Sequence, residues 1–139
     1  MDPQKPMPRM RNDVRLDDRT EMLATRVIGA AIEVHREMGP GFLESHYEEA
    51  MCFELTQQGI PFLRQHAISV SYKGHVVSEG RLDMLVDDLI VLELKAVQAL
   101  APVFDATVLA YLRATQKRLG LLINFNVPLL KDGLKRIVL

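Results

Sequence analysis

Two long apolar runs constrain the fold of this chain more than any other feature. Leu89–Leu94 is apolar apart from Glu93, and Leu119–Phe125 is apolar apart from Gly120 and Asn124. Such runs are typical of strands that are covered on both faces, because a half-exposed strand would alternate apolar and polar residues. The sequence therefore predicts a central sheet with helices packed on both of its faces.

Helical periods, alternating stretches and turn residues supply the remaining elements. The helices are expected to end at breakers such as Gly39-Pro40-Gly41 and Gly59, because Pro and Gly do not continue a helix cheaply. A period of two after Pro61 indicates strands. This arrangement is an α/β fold, a central sheet flanked by helices. The predicted elements are helices at about 20–37, 42–58 and 103–117, and strands at about 61–72, 76–86, 89–94, 119–125 and 134–139.

Length and composition bound the organisation of the chain. Its 139 residues suit one core, with 48% apolar and 25% charged residues as in an ordinary globular domain. Residues 1–19 hold three prolines and many charges, which predicts a flexible N-terminal arm before a single domain at 20–139. No apolar run approaches the roughly 20 residues that span a bilayer, and no secretory signal is evident, so a cytoplasmic location and no membrane partner are expected.

The charge is small overall but unevenly placed. The net charge of −1 does not indicate nucleic-acid binding. From Arg113 to the end, however, the chain has six basic residues and one acid, Asp132. A basic C-terminal face could contact phosphate, and an ordinary solvated surface is the other interpretation. The candidate nucleic-acid contacts are Arg113, Lys117 and Lys135.

Asp83, Glu93 and Lys95 are the residues that most suggest chemistry. Glu93 and Lys95 lie two apart at the end of an otherwise apolar strand, so both point to the same face. Charged side chains in such a strand are costly to bury unless they are paired or bind a metal ion. Their position therefore requires a reason.

The turn between the second and third strands decides whether Asp83 joins them. A two-residue turn would send Asp83 and Glu93 to opposite faces. A three-residue turn, Asp87-Asp88-Leu89, pairs Val86 with Ile90 and places Asp83 opposite Glu93, within about 5.5 Å. We predict the three-residue turn, or an equivalent bulge.

Two carboxylates and a lysine suit phosphodiester hydrolysis. Hard oxygen ligands favour Mg²⁺ or Mn²⁺, and such an ion polarises a phosphate and lowers the pKa of a bound water. Lys95 could orient that water or stabilise the developing negative charge. The spacing alone leaves a second interpretation open: an exposed Glu-Lys pair at a strand end, with Asp83 solvated.

The same residues resemble a known signature. Asp83, nine intervening residues and then Glu93-Leu94-Lys95 resemble the core pattern of the PD-(D/E)XK nuclease superfamily. Gly41–Tyr47, GFLESHY, matches the GxxExxY motif that names one family within it. The resemblance covers about Leu23 to Leu139. Two further segments look like that family, residues 34–44 and 121–125.

This resemblance implies a restriction-endonuclease-like fold, a mixed central sheet flanked by helices, and a nucleic-acid substrate, DNA or RNA. It implies that Asp83 and Glu93 bind Mg²⁺ or Mn²⁺, that Lys95 is a catalytic lysine, and that Glu44 reaches the same site as a further ligand. Tyr47 shares a helix face with Glu44, where it either supports the site or packs between helix and sheet.

One position departs from the pattern of related nucleases. Their helix after the lysine strand often carries a glutamine four residues before a tyrosine. Here Tyr111 is present as a supporting residue, but Thr107 stands where the glutamine would be, which puts full activity in doubt. For His35 a structural hydrogen bond is expected rather than chemistry.

Two other functions remain open from the sequence. One is a nucleic-acid-binding module that keeps the fold and has lost the chemistry. The other is a protein-interaction domain, in which the apolar face of the first helix and the Met-containing arm form the interface of a homodimer.

Overall fold

The structure, a computed structural model, describes residues 14–139. Most of the predicted arm, residues 1–13, lies outside this range. Within it, Val14 and Leu16 pack against the core, and the first helix begins at Asp18, two residues before its predicted start. Asp17 caps this helix, since its carboxylate accepts the N–H of Thr20 at 2.9 Å.

The predicted order of elements is confirmed, and each end shifts by no more than two residues. The sheet has the order β1-β2-β3-β4-β5; β3 and β4 are parallel, and the other neighbours are antiparallel. The elements are α1 (Asp18–Met38), α2 (Glu44–Gln57), β1 (Phe62–Tyr72), β2 (His75–Val86), β3 (Ile90–Lys95), α3 (Pro102–Thr115), β4 (Leu119–Asn124), a 3₁₀ turn (Leu130–Gly133) and β5 (Leu134–Val138).

Both long apolar runs are central strands, as predicted. All of β4 and the first five residues of β3 are buried. One face of the sheet packs on α1 and α2, and the other packs on α3. Gly120 allows α3 to pack closely on the sheet, because a Cβ there would lie 2.5 Å from Cγ1 of Val108 on α3. The fold is therefore a mixed sheet flanked by helices, of the restriction-endonuclease-like type.

The apolar face of α1 forms part of the core. Leu23, Val27, Ala30, Ala31 and Val34 are all buried in the cluster beneath the sheet. The suggestion that this face serves a homodimer is therefore wrong, because burying it inside the domain already removes it from water. Among residues 14–139, no helix has the length and apolar content needed to cross a membrane.

The turn between β2 and β3 has three residues, as predicted. Val86 pairs with Ile90, and the Leu89 N–H donates to the Val86 carbonyl at 3.0 Å. Asp87 and Asp88 adopt left-handed backbone angles, with φ of 48° and 56°, a conformation that Asp tolerates better than most residues. The predicted register is thus confirmed.

The outer part of the β1–β2 hairpin extends beyond the rest of the sheet. β2 pairs with β3 only from Met84 to Val86, whereas its pairing with β1 continues to the turn at Tyr72 and His75. We call residues 69–79 the hairpin extension. It carries exposed apolar side chains: Val70, Tyr72, Val76 and Val77.

Candidate metal centre

Asp83 and Glu93 meet where β2 and β3 separate. The last pair between the two strands is Met84–Leu92. Beyond it the two carboxylates, instead of backbone carbonyls, accept hydrogen bonds from the facing strand. Asp83 Oδ2 accepts the N–H of Leu94 at 2.8 Å, and Glu93 Oε1 accepts the N–H of Asp83 at 3.2 Å. The strands therefore form a fork, and the two carboxylates bridge its opening.

The pair is poorly compensated electrostatically. Glu93 is only 5% exposed; this burial, followed by the charge of Asp83, raises the pKa of Glu93 to about 8. Burial also raises the pKa of Asp83, against the lowering effect of the Leu94 N–H. Two carboxylates that share a desolvated site disfavour each other's ionised form. A cation placed between them would relieve both effects.

Lys95 supplies the positive charge nearest in sequence. Burial raises the pKa of Asp83, Glu93 and Glu44, and the charge of Lys95 opposes this rise in each case. Its ammonium nitrogen lies 4.8 Å from the ring centroid of Phe104 on α3, a cation–π contact that orients the side chain. The chain beyond Lys95 is held by the buried Asn124, which exchanges hydrogen bonds of 3.0 and 2.9 Å with the backbone of Val97.

Glu44 approaches the same site from the first turn of α2. Although the residue is largely exposed, partial burial of its carboxyl group raises its pKa, and the charge of Asp83 adds to this effect. Glu44 therefore lies within electrostatic reach of the pair. The beginning of a helix also favours an acidic side chain.

Tyr47 fixes the start of α2. Its ring is fully buried and stacks on Phe125, with centroids 4.5 Å apart. Its hydroxyl donates to the Gly39 carbonyl at 2.6 Å and accepts the Phe42 N–H at 3.2 Å. Gly41, with φ of 105°, provides the bend between them. Gly41 and Tyr47 of the motif thus form one structural unit, and the ring of Tyr47 packs between α2 and the residue that follows β4.

Replacing Tyr47 by phenylalanine should lower the free energy of unfolding by about 1–2 kcal/mol, because the part-buried Gly39 carbonyl and Phe42 N–H lose their partner. Urea unfolding of the two proteins measures this difference. Tyr72→Phe, at an exposed tyrosine, is the matched control and should change the stability little. Equal stability of Tyr47→Phe and the parent protein would contradict the role of this hydroxyl.

Glu48 is a site residue that the sequence reasoning missed. It lies one turn beyond Glu44, is 8% exposed, and its charge raises the pKa of Asp83. Its two oxygens accept from Gln65 Nε2 at 2.5 Å and Arg64 Nε at 2.8 Å. The spacing of four between Glu44 and Glu48 was the available signal. Nothing local pointed to Arg64 and Gln65, since their contacts depend on where β1 lies against α2.

Gln65 marks a bend in β1 beside the fork. Its φ is 49°, in the left-handed region that non-glycine residues seldom adopt. Arg64 pairs with Met84 and His66 with Leu82, but Gln65 and Asp83 form no ladder pair. The β1–β2 ladder is therefore interrupted at the point where the pairing of β2 with β3 ends.

Tyr111 lies beside the carboxylate pair, whereas Thr107 takes no part in it. Burial raises the pKa of Tyr111, and the charges of Glu93 and Asp83 add to this effect. The Thr107 hydroxyl donates to the Val103 carbonyl at 2.9 Å within α3. The hydroxyl of Thr107, which stands where related nucleases often have glutamine, is thus engaged in a hydrogen bond within α3. His35 makes the expected structural hydrogen bond, donating to the Val127 carbonyl at 2.7 Å.

The basic C-terminal residues do not form one face, which leaves the contacts with nucleic acid at Arg113, Lys117 and Lys135 a prediction. Lys117 pairs with Asp88 at 3.0 Å, and Lys135 pairs with Asp105 at 3.2 Å. Arg136 binds Glu21 on the opposite side of the sheet. Each of these side chains forms an ion pair with an acid elsewhere in the fold, because opposite charges attract each other at such short distances. Arg113 differs, since its Nη2 is buried without a hydrogen-bond partner.

The donors at the fork suit a hard divalent cation. Between residues 14 and 139, no three His, Cys, Asp or Glu side chains converge closely enough to hold an ion by themselves, so Glu44 does not complete a three-ligand set with the pair. Mg²⁺ commonly binds through one or two carboxylates and keeps several waters or substrate oxygens. The half-buried Asp83 and the buried Glu93 fit such an ion.

Comparison with known families identifies the chain. The family model described as the PD-(D/E)XK nuclease superfamily matches residues 21–137. Searches of curated proteins and of solved structures found no match. The matched segment includes the fork, α2, α3 and the whole sheet except Val138 at the end of β5, and it lacks the first three residues of α1. The chain therefore belongs to the PD-(D/E)XK nuclease superfamily.

Proposed function

We propose that this protein is a nuclease, dependent on Mg²⁺ or Mn²⁺, that hydrolyses phosphodiester bonds of DNA or RNA. One observation carries the proposal: in a chain of this superfamily, two desolvated carboxylates and a lysine meet at the fork between β2 and β3. The GFLESHY segment at 41–47, with its Tyr47-closed turn, supports placing the chain in the GxxExxY family.

Each residue of the fork has a proposed role. Asp83 and Glu93 would hold the divalent ion, which when bound polarises the phosphate and makes water a better nucleophile. Lys95 donates hydrogen bonds from its ammonium group to the attacking water or to the negative charge that develops on the phosphate. Glu44 lines the site from α2 and accepts hydrogen bonds from water there. Tyr111 shields the carboxylates on the α3 side.

The function is tested by offering the purified protein single- and double-stranded DNA and RNA in Mg²⁺, Mn²⁺ or EDTA. We expect cleavage with either ion and none in EDTA. At pH 8 the ions should also raise the thermal unfolding midpoint, because they bind only the folded protein. Absence of cleavage of all four substrates in Mn²⁺ would overturn the proposal.

A binding module without catalysis is the second candidate, and Thr107 favours it. Its hydroxyl is engaged within α3, so this helix presents no amide toward the fork from that position. On this alternative the protein binds nucleic acid with a strong dependence on salt, and replacing Asp83 leaves both the binding and the lack of cleavage unchanged. The substrate panel above separates the two functions.

A further inference from the structure

A groove of about 370 Å³ lies between the outer half of β1 and α3. One wall consists of Ile68–Ser71 of β1, and the other is formed by Ala110, Tyr111, Arg113 and Ala114 of α3. Alanines on the helix side and the end of the sheet at β1 leave this space open. The groove is thus a channel between the hairpin extension and the helix that covers the site.

The groove reaches β2 close to the carboxylate pair. Its lining includes Ile68 and Tyr111, which both lie against Gly80, three residues before Asp83. Gly80 of β2 makes room for the ring, since a Cβ there would lie 3.4 Å from Cε1 of Tyr111. A chain lying in the groove would therefore reach the fork.

Arg113 lines the groove and has a hydrogen-bond donor without a partner. Its Nη2 is buried and has no hydrogen-bond partner, although guanidinium N–H groups bind phosphate oxygens well. The neighbouring basic residues are already paired, Lys117 with Asp88 and Lys135 with Asp105. Because Arg113 lines the groove, a rotation of its side chain would bring this donor to an anion that enters there.

The hairpin extension adds an aromatic surface. Val70 lines the groove, and Tyr72 lies two residues further along the same face of β1. Tyr72 is 60% exposed, and Lys73 lies over its ring at 5.4 Å from the centroid. Exposed aromatic rings beside scattered cations are typical of surfaces that stack the bases of single strands. Duplexes offer no free base faces and are bound mainly through many phosphate contacts.

We propose that this groove binds a single-stranded polynucleotide segment next to the bond that is cut, with Arg113 on a backbone phosphate and Tyr72 stacked on a base. The proposal rests on the proposed nuclease function and specifies its substrate as single-stranded, or as a duplex with a single-stranded end. DNA and RNA share the phosphates and bases that it uses.

The test measures binding by fluorescence anisotropy in EDTA, with labelled single strands of about 12 nucleotides, as DNA and as RNA, and the corresponding duplexes. Single strands should bind at least about 10-fold more tightly than duplexes. Arg113→Gln should raise Kd about 10-fold and reduce the slope of log K against log salt by about 0.7. Tyr72→Ala should raise Kd about 10-fold without changing that slope.

Two variants on the other side of the sheet serve as matched controls. Lys131→Gln removes one positive charge from an exposed position, and Phe53→Ala removes a ring that is 64% exposed on α2. Both should bind as the parent protein does. Circular dichroism checks that all four variants are folded.

The proposal for the groove would be overturned by any of three results. These are unchanged Kd values for Arg113→Gln and Tyr72→Ala, tighter binding of duplexes than of single strands, or no binding of single strands. Cleavage of the same strands in Mn²⁺ is scored separately. If the strands are cleaved but Arg113→Gln and Tyr72→Ala bind them as the parent protein does, the nuclease function is supported and the binding role of the groove is refuted. Groove-dependent binding without cleavage would keep the groove and remove the nuclease function.

Discussion

Asp83→Asn is expected to lower the rate of phosphodiester cleavage by about a thousandfold, equivalent to roughly 4 kcal/mol in the activation barrier. Asparagine keeps an oxygen that can accept the Leu94 N–H, now 2.8 Å from Asp83 Oδ2. It loses the negative charge with which, as proposed, Asp83 holds the divalent ion beside Glu93. The effect should therefore fall on catalysis rather than on folding.

Stability is the second measurement on this variant. Because the substitution removes a charge that raises the pKa of Glu93, the free energy of unfolding should stay within about 1 kcal/mol of the parent value or rise. Asp132→Asn, at an exposed carboxylate in the 3₁₀ turn, is the matched control and should cleave at the parent rate. An Asp83→Asn variant that retains more than a tenth of the parent activity would rule out the metal role of this carboxylate.

Glu93→Gln is expected to stabilise the fold at alkaline pH while abolishing cleavage. The buried Glu93 has a pKa raised to about 8 from the model-compound value of 4.5. Such a difference corresponds to at most about 5 kcal/mol once the group is ionised. Allowing for relaxation of the site and for Lys95, we expect a gain of about 2 kcal/mol at pH 9. The amide oxygen remains available to the Asp83 N–H.

The pH dependence of this gain follows from proton linkage. Between about pH 4.5 and 8, folded Glu93 keeps its proton while the unfolded chain loses it, so the stability of the parent protein falls as pH rises. Below this window both states are protonated, and the variant has no advantage. The stability difference should thus be near zero at pH 4 and reach its maximum above pH 8.

Urea unfolding of both proteins in EDTA, from pH 4 to pH 9, measures this profile. Glu37→Gln, at an exposed glutamate on α1, should show no comparable rise. Adding Mg²⁺ at pH 9 should narrow the difference, because the ion stabilises only the protein that retains both carboxylates. If the stability difference between Glu93→Gln and the parent protein does not vary with pH, the pKa of Glu93 is not raised by folding.

Much of the fold was predictable because its signals are local. The apolar runs of β3 and β4, the breakers after α1, and the odd length of the Asp87–Leu89 turn each depend on residues close in the chain. These features led to the correct element order and to the pairing of Val86 with Ile90. The same reasoning brought Asp83 and Glu93 together, because register follows from turn length.

What the sequence left open or missed concerned partners distant in sequence. A shared basic C-terminal face was one of two interpretations, yet Lys117, Lys135 and Arg136 pair with acids in the β2–β3 turn, on α3 and on α1. Glu48 was overlooked because its partners, Arg64 and Gln65, reach it only once β1 lies against α2. Charge counted along a sequence does not show which charges neutralise each other in space.

By itself the sequence determined the layered α/β architecture and the residues Asp83, Glu93 and Lys95 as a candidate site, and it predicted one of two possible β2–β3 registers. Only the tertiary structure decided that the two strands separate just beyond Met84, so that the carboxylates bridge a fork instead of facing each other across a regular ladder. It also decided how deeply Glu93 is buried. Alternation and turn length act between neighbours in the chain, whereas desolvation and strand separation depend on everything that packs around a residue.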